Sequence, residues 1–197
     1  MSDETQKLIV RPPSFFDCVI LAGTCLAWVA MMWVQQNWLS QLDATQAISL
    51  LFLPAGMRVL LLLSGRLPAA VGLFAGSAIV VHWVFPDNLG VVNSLAISLM
   101  TSFVPFFTIR ITKHICGVDA SLRHLRFQHL LIIAAAVSVV SPLAHNLWFC
   151  VQGLKPWADF AHNVLSMAVG DMLGTVALFA VIIAARVAFL RLRGVAG

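Results

Sequence analysis

Residues 15–34 read FFDCVILAGTCLAWVAMMWV, an apolar stretch that only Asp17, in its first turn, interrupts. A helix of about 20 apolar residues crosses the hydrocarbon core of a bilayer, whereas the apolar core of a signal peptide is shorter. Ser14, directly before the stretch, is a residue type that caps helix N-termini. No small-residue A-x-A cleavage site follows the stretch. The sequence therefore predicts a first transmembrane helix over about 14–34.

The composition of the whole chain agrees with a protein that spans a membrane. Of the 197 residues, 60% are hydrophobic and 10% are charged, and the mean hydropathy is +0.94. Soluble domains carry roughly 25% charged residues. At about 100 to 200 residues per domain, the chain has no room for a soluble catalytic unit beside its membrane part. No nucleophile elbow, P-loop or dinucleotide-binding glycine motif is present either, so the sequence predicts a protein that is not an enzyme.

Polar turns divide the chain into six apolar stretches, which predicts an all-α, six-helix transmembrane bundle. The predicted helices cover about 14–34, 46–64, 67–85, 91–112, 129–151 and 158–185. Residues 1–13 form a predicted cytoplasmic segment before a transmembrane domain of 14–186. Residues 187–197 form a predicted cytoplasmic basic tail.

The basic residues predict the orientation of this bundle. Only Lys155 falls on the opposite side of a six-helix arrangement, and Arg58 falls within a span. Lys and Arg are retained on the cytoplasmic side, so both termini are predicted to be cytoplasmic, in a bacterial inner membrane. Retention of basic residues on the cytoplasmic side also explains the net charge of +4, so the sequence predicts no nucleic-acid partner. The residues on the predicted cytoplasmic side are Lys7, Arg11, Arg66, Arg110, Lys113, Arg123, Arg126, Arg186, Arg191 and Arg193.

Two ionisable residues inside predicted spans are candidates for a ligand or coupling site, Arg58 and Asp171. Such residues cost at least about 2.5–3.5 kcal/mol in hydrocarbon and usually face a partner in the bundle interior. Arg58 either receives an anionic group or pairs with Asp171, while Pro54 and Gly56 loosen the second helix beside a cavity. A purely structural ion pair is the alternative. At roughly 1.5 Å per residue, Arg58 and Asp171 lie about 10 and 20 Å from their cytoplasmic helix ends, which leaves direct pairing open.

Small residues recur four positions apart in two predicted helices. Gly72 and Gly76 form one such pair, and Gly170 and Gly174, which flank Asp171, form the other. This spacing allows close approach of helices in a membrane. Gly170 and Gly174 therefore join the candidate site.

An outer polar cluster gathers near the predicted outer ends of the helices. Its imidazoles and amides suit either a metal or proton relay or ordinary interhelical hydrogen bonds. No H-x-x-x-H motif is present, and the four cysteines include no C-x-x-C pair, so we predict no metal site and assign no cofactor. The members of this cluster are His82, Asn93, His145, Asn146, His162 and Asn163.

Three short motifs resemble the membrane-associated sensor domains of the MASE type. They are LFLPAGMR at 51–58 with Gly65-Arg66 after it, LFAGS at 73–77, and Gly170-Asp171-x-x-Gly174 in the last helix. In that family an integral membrane bundle, typically of eight helices, precedes a histidine kinase or diguanylate cyclase module. This chain has six predicted helices and no such output module. The resemblance implies that the important interior positions are Pro54, Gly56, Arg58, Gly170, Asp171 and Gly174.

The leading functional hypothesis is a non-enzymatic, sensor-like or accessory membrane subunit that binds a small ligand or partner helices within the bundle. Expected partners are the lipid bilayer and a second membrane protein or copy of this chain. The first alternative is a small-solute transporter or a substrate-binding membrane component, similar in architecture to those of energy-coupling-factor vitamin importers. The second is a structural subunit of a larger membrane complex. A polar pocket at Arg58 and Asp171 favours a sensor or transporter, and a filled interior favours a structural subunit.

Overall fold

The computed structural model describes residues 14–39, 43–45, 48–49, 51–64, 66–84, 89–118, 122 and 125–192. The predicted segment 1–13, Arg123 and residues 193–197 of the predicted tail lie outside this part of the chain. The described elements are α1 (Phe15–Trp38), β1 (Asp43–Thr45), β2 (Ile48–Ser49), α2 (Leu53–Leu62), α3 (Leu67–Val84), α4 (Gly90–Ile115), α5 (Phe127–Val151), a 3-10 turn (Trp157–Asp159) and α6 (Phe160–Leu192).

Within the described residues, the fold is helical apart from the short antiparallel pair β1 and β2. Five helices, α1, α3, α4, α5 and α6, are long and apolar enough to cross a bilayer, as in a multi-pass membrane protein. The prediction that Ser14 caps α1 is confirmed. The Ser14 hydroxyl accepts a hydrogen bond from the N–H of Asp17, and the Asp17 carboxylate accepts one from the Ser14 N–H.

The prediction of a second helix over 46–64 is wrong. Residues 48–49 form β2, and the helix covers only Leu53–Leu62. Its ten residues measure about 15 Å, roughly half of a bilayer's hydrocarbon core. Pro54 favours this boundary, because a proline fits the first turn of a helix, where its missing N–H is not needed. The backbone before it finds partners outside its own segment, since Gln35 and Gly170 bond the N–H groups of Leu53 and Phe52. At the other end of the chain, α6 continues to Leu192, beyond the predicted end at 185.

The segment that contains α2 nevertheless joins the two ends of α1. Near the C-terminal end of α1, the Gln35 amide bonds the hydroxyl of Ser49 (3.2 Å) and the backbone N–H of Leu53 (3.3 Å). Near the N-terminal end of α1, the Arg66 guanidinium lies 2.8 Å from the Asp17 carboxylate. Ser49 and Arg66, on either side of α2 in the sequence, therefore lie at opposite ends of α1.

The helices pack in a closed ring in the order α1, α3, α4, α5, α6 and α2, and α2 also contacts α3, α4 and α5. The short helix α2 is therefore the one nearest to the centre. Gly72 and Gly174, one from each of the two glycine pairs, permit close approaches of the kind that the sequence predicts. A Cβ at Gly72 would overlap the carbonyl oxygen of Leu21 in α1, and one at Gly174 would overlap the carbonyl oxygen of Phe52 before α2.

Candidate functional site

Arg58 and Asp171 form a direct ion pair in the middle of the bundle. The Arg58 Nη2 lies 2.8 Å from the Asp171 Oδ2, and the two side chains are only 2% and 1% exposed. The difference in depth inferred from the sequence does not separate them, because α2 is a short inner helix that starts beside α6. Side chains on a helix also lean toward its N-terminus, so Arg58 reaches back toward the level at which α2 begins.

Both ends of α2 are held by hydrogen bonds from other helices. Gln35 of α1 accepts from the first N–H of α2, and the N–H of Phe52 donates to the carbonyl oxygen of Gly170 in α6 (3.1 Å). At the C-terminal end, the buried ammonium of Lys113 donates to the carbonyl oxygen of Leu63 (3.1 Å). A cation at this end also complements the helix dipole. Non-helical backbone at membrane depth is tolerated where it is buried in protein like this.

Pro54 and Gly56 have roles that differ from the one expected for them. Pro54 does not loosen α2; it lies in the first turn, where a helix does not use its N–H. Gly56 allows α2 to approach α6, because a Cβ there would lie 2.9 Å from the Cα of Thr175. Gly174 gives the same clearance to the backbone at Phe52. These residues set how closely α2 packs on α6.

A cavity of about 80 Å³ lies beside Arg58. Its walls are mainly apolar, and residues from all six helices line it together with Ser49 and Phe52. Asp171 is not among these residues, so it neutralises Arg58 without lining the cavity. The polar side chains that line the cavity include Gln35, Ser49, Arg58, Ser77, Thr101 and His145.

Two side chains that line the cavity carry buried N–H groups with no hydrogen-bond partner among the described residues. These are the Nε of Arg58 and the indole Nε1 of Trp28, both on side chains that are 2% exposed. Asp171 Oδ1 is also without such a partner in the described part of the chain. A buried polar group costs about 1–3 kcal/mol when its hydrogen bond is not made, so these groups favour a polar occupant beside Arg58.

His145 and Thr101 form a hydrogen-bonded pair on the cavity wall. The His145 Nδ1 lies 2.9 Å from the carbonyl oxygen of Ser141, which can only accept, so Nδ1 carries a proton. In a neutral ring the Nε2 then accepts from the Thr101 hydroxyl, 3.2 Å away. The pair links α4 to α5 and fixes the ring's tautomer.

The six residues of the outer polar cluster do not all meet at one site. Of these residues, His145 lines the cavity, and the adjacent Asn146 is buried and donates to the carbonyl oxygen of Pro142 (2.9 Å). Asn93 accepts from the indole N–H of Trp148 (3.2 Å), an interhelical bond of the kind expected. No three or more His, Cys, Asp or Glu side chains form a group suited to a metal ion within the described ranges. The other members are His82 and His162, which are exposed, and Asn163, which is buried.

Lys155, the single basic residue predicted on the outer side, lies in the loop between α5 and α6. Its ammonium sits over the ring of Phe149, 5.6 Å from the centroid, and Phe149 lines the cavity. Burial lowers the pKa of Lys155 below its usual value, while Asp159 acts in the opposite direction. The lysine therefore covers one wall of the cavity without lining it.

Sequence reasoning missed most of the cavity residues. Gln35 looks like a residue at the membrane exit, yet it is 1% exposed and caps α2. Ser77 and Thr101 each stand in an apolar helix, where a hydroxyl usually faces another helix rather than lipid. That preference is the one sequence signal pointing to them, and it does not show that they face the same space.

No protein-family model matches the chain, and no curated protein or solved structure matches it significantly. The resemblance to MASE-type sensor domains stays a prediction. The cavity and the ion pair behind it are the features from which a function can be inferred.

Proposed function

We propose that this protein is a non-enzymatic, sensor-like membrane receptor that binds a small ligand in the cavity beside Arg58. The cavity itself carries the proposal. It lies inside the ring of helices, next to a buried ion pair and two buried N–H donors without protein partners in the described residues. Protein interiors are normally close-packed, so a purely structural subunit is expected to have a filled interior at this point.

Helix α6 offers a route from the cavity to the end of the bundle. Met167 of α6 lines the cavity, and Asp171, one turn further, holds Arg58. From there α6 continues to Leu192, and residues 180–189 are exposed. A ligand that shifts Arg58 would act on α6 directly. The motifs that resemble MASE-type sensor domains lie in the same places, which agrees with a sensory role.

We further propose that the segment around α2 counts as a crossing, so that six crossings leave both termini in the cytoplasm of a bacterial inner membrane. The contacts of Ser49 with Gln35 and of Arg66 with Asp17, at opposite ends of α1, support this count. Single cysteines at Ser64 and Gln152, in a chain whose four native cysteines are replaced by serine, test it. An impermeant thiol reagent added to intact cells should label Gln152→Cys and spare Ser64→Cys. Labelling of both, or of Ser64→Cys alone, would exclude this topology.

Co-purification tests the ligand-binding function. Protein extracted from native membranes into nanodiscs is analysed by mass spectrometry for bound small molecules. Ser77→Leu places a larger side chain in the cavity, and the matched control Ile79→Phe adds bulk on an exposed position of the same helix. We expect at least one molecule that accompanies the wild type and the control but not Ser77→Leu. Identical small-molecule contents in all three proteins would refute ligand binding in the cavity.

One observation favours transport as a second candidate. A short helix that starts at membrane depth, next to an ionisable pair, is typical of the binding sites of secondary transporters. Proteoliposomes loaded with the co-purified molecule distinguish the two functions. Efflux that depends on the protein and is lost in Asp171→Asn indicates transport, whereas binding without flux indicates a receptor.

A further inference from the structure

We infer that the cavity takes a small uncharged molecule, mainly apolar, that carries one hydrogen-bond-accepting oxygen, as in a ketone. This inference rests on the proposed ligand-binding function and adds the chemical class of the ligand. It differs from the expectation that Arg58 receives an anion.

The charges around the cavity are already balanced. The guanidinium of Arg58 is neutralised by Asp171 at 2.8 Å, and neither side chain is more than 2% exposed. A carboxylate bound beside Arg58 would leave one net negative charge at the Arg58–Asp171 pair, and an ammonium would leave one net positive charge there. Uncompensated charge is costly in this environment. An uncharged ligand avoids that cost.

The other titratable groups near the cavity do not change this balance. A neutral His145 ring satisfies both of its partners, donating through Nδ1 to a carbonyl oxygen and accepting through Nε2, and adds no charge. The buried ammonium of Lys113 bonds the carbonyl oxygen of Leu63 at the other end of α2 and does not line the cavity. Lys155 lies over the ring of Phe149 in the loop, near Asp159, and does not line the cavity. Arg58 is therefore the formally charged side chain that the occupant meets among the described residues.

Two unpartnered donors lie on side chains that line the cavity. The Nε of Arg58 and the Nε1 of Trp28 are buried N–H groups on lining side chains, and neither has a partner in the described part of the chain. Neither nitrogen has exposed surface as the cavity stands, so a small shift of the surrounding side chains lets an acceptor oxygen on the ligand supply the missing partner. The remaining walls are mainly apolar and suit a hydrocarbon body.

The volume limits the size of this molecule. The cavity measures about 80 Å³, whereas an engineered apolar cavity that binds benzene measures about 150 Å³. A ligand smaller than benzene matches this volume. Butan-2-one, propanoate and propylammonium are of this size and differ mainly in charge, which makes them suitable probes.

Saturation-transfer NMR with these three probes, labelled with ¹³C, on the full chain in nanodiscs tests the inference. We expect saturation of butan-2-one in the wild type and in Ile79→Phe, and its loss in Ser77→Leu. Propanoate and propylammonium should bind at least about tenfold more weakly than butan-2-one, because each brings an uncompensated charge.

Asp171→Asn provides a second readout that a merely structural effect would not produce. It leaves the charge of Arg58 unbalanced, so the order of affinities should reverse in favour of propanoate. The double variant Arg58→Gln with Asp171→Asn removes both charges and should show no preference for propanoate. If the double variant prefers propanoate as strongly as Asp171→Asn does, the charge-balance argument fails.

Two outcomes separate this inference from the proposed function. Preferential binding of propanoate or propylammonium to the wild type overturns the inference and leaves ligand binding in the cavity intact. Absence of butan-2-one binding to the wild type also overturns it, and the co-purification comparison then decides independently whether the cavity binds any ligand.

Discussion

Removing one member of the Arg58–Asp171 pair leaves the other as a buried charge without its counter-ion. Arg58→Met and Asp171→Leu each create this situation, and the double variant replaces both charges by apolar side chains of similar size. The three variants and the wild type form a double-mutant cycle, which isolates the interaction between the two residues. The cycle therefore tests whether the ion pair stabilises the bundle only through its mutual neutralisation.

The geometry of the pair sets the expected magnitude. Breaking a buried ion pair from one side costs about 3–5 kcal/mol, whereas replacing both partners by apolar residues is often neutral or stabilising. This pair has one hydrogen bond of 2.8 Å, and the Arg58 Nε and Asp171 Oδ1 have no further partner among the described residues. We therefore expect each single variant to lose stability at the lower end of this range, about 3 kcal/mol. This loss is roughly a 140-fold change in the unfolding equilibrium constant. The double variant should lie within about 1 kcal/mol of the wild type.

Reversible unfolding in mixed micelles, followed by circular dichroism, measures these differences. The matched control is the pair Arg66 and Asp17, which has the same 2.8 Å separation but is 43% and 24% exposed. Arg66→Met should cost less than about 1 kcal/mol, because exposed pairs are screened by solvent. This variant leaves the Asp17 carboxylate on the Ser14 N–H, so the cap of α1 is retained. The reasoning is refuted if Arg58→Met costs no more than Arg66→Met, or if the double variant at Arg58 and Asp171 is as unstable as the two single losses combined.

Three further substitutions test how α2 is held in the bundle, each by the same unfolding measurement. Gln35→Leu removes the acceptor at the α2 N-terminus and should cost about 1–2 kcal/mol; a loss below about 0.5 kcal/mol would show that this cap is dispensable. Gly174→Ala should cost about 1–3 kcal/mol through overlap with the backbone at Phe52, whereas Gly23→Ala, which has open space around it, should stabilise its helix by up to about 1 kcal/mol. Equal effects of these two glycine variants would contradict the close approach of α6. Lys113→Met removes the donor to the last turn of α2 and should cost about 1–3 kcal/mol; an unchanged midpoint would refute that role.

Local properties of the sequence predict that the chain is helical. They also predict the five long helices. Hydrophobic length identifies a spanning helix such as Phe15–Trp38, because a bilayer selects apolar runs of sufficient length whatever their partners. The cap at Ser14 is equally local, since it depends on residues three positions apart. The cost of an ionisable group in hydrocarbon also singles out Arg58 and Asp171 before any contact is known.

The second helix shows where local reasoning stops. Hydropathy treats 46–64 as one apolar run, yet the run divides at Pro54 into extended backbone and a short helix. Extended backbone survives there because Gln35 and the carbonyl oxygen of Gly170 bond its N–H groups. Those partners are far away in the sequence, so hydropathy cannot reveal them.

The sequence by itself determined that this is a helical membrane protein with a charged interior marked by Arg58 and Asp171. Only the tertiary structure decided that these two side chains pair directly and that the space beside Arg58 is a cavity. The physical reason is that hydrophobicity and the cost of a buried charge belong to single residues and short runs. A cavity, in contrast, is bounded by side chains from every helix, and its position depends on how closely α6 approaches α2 at Gly56 and Gly174.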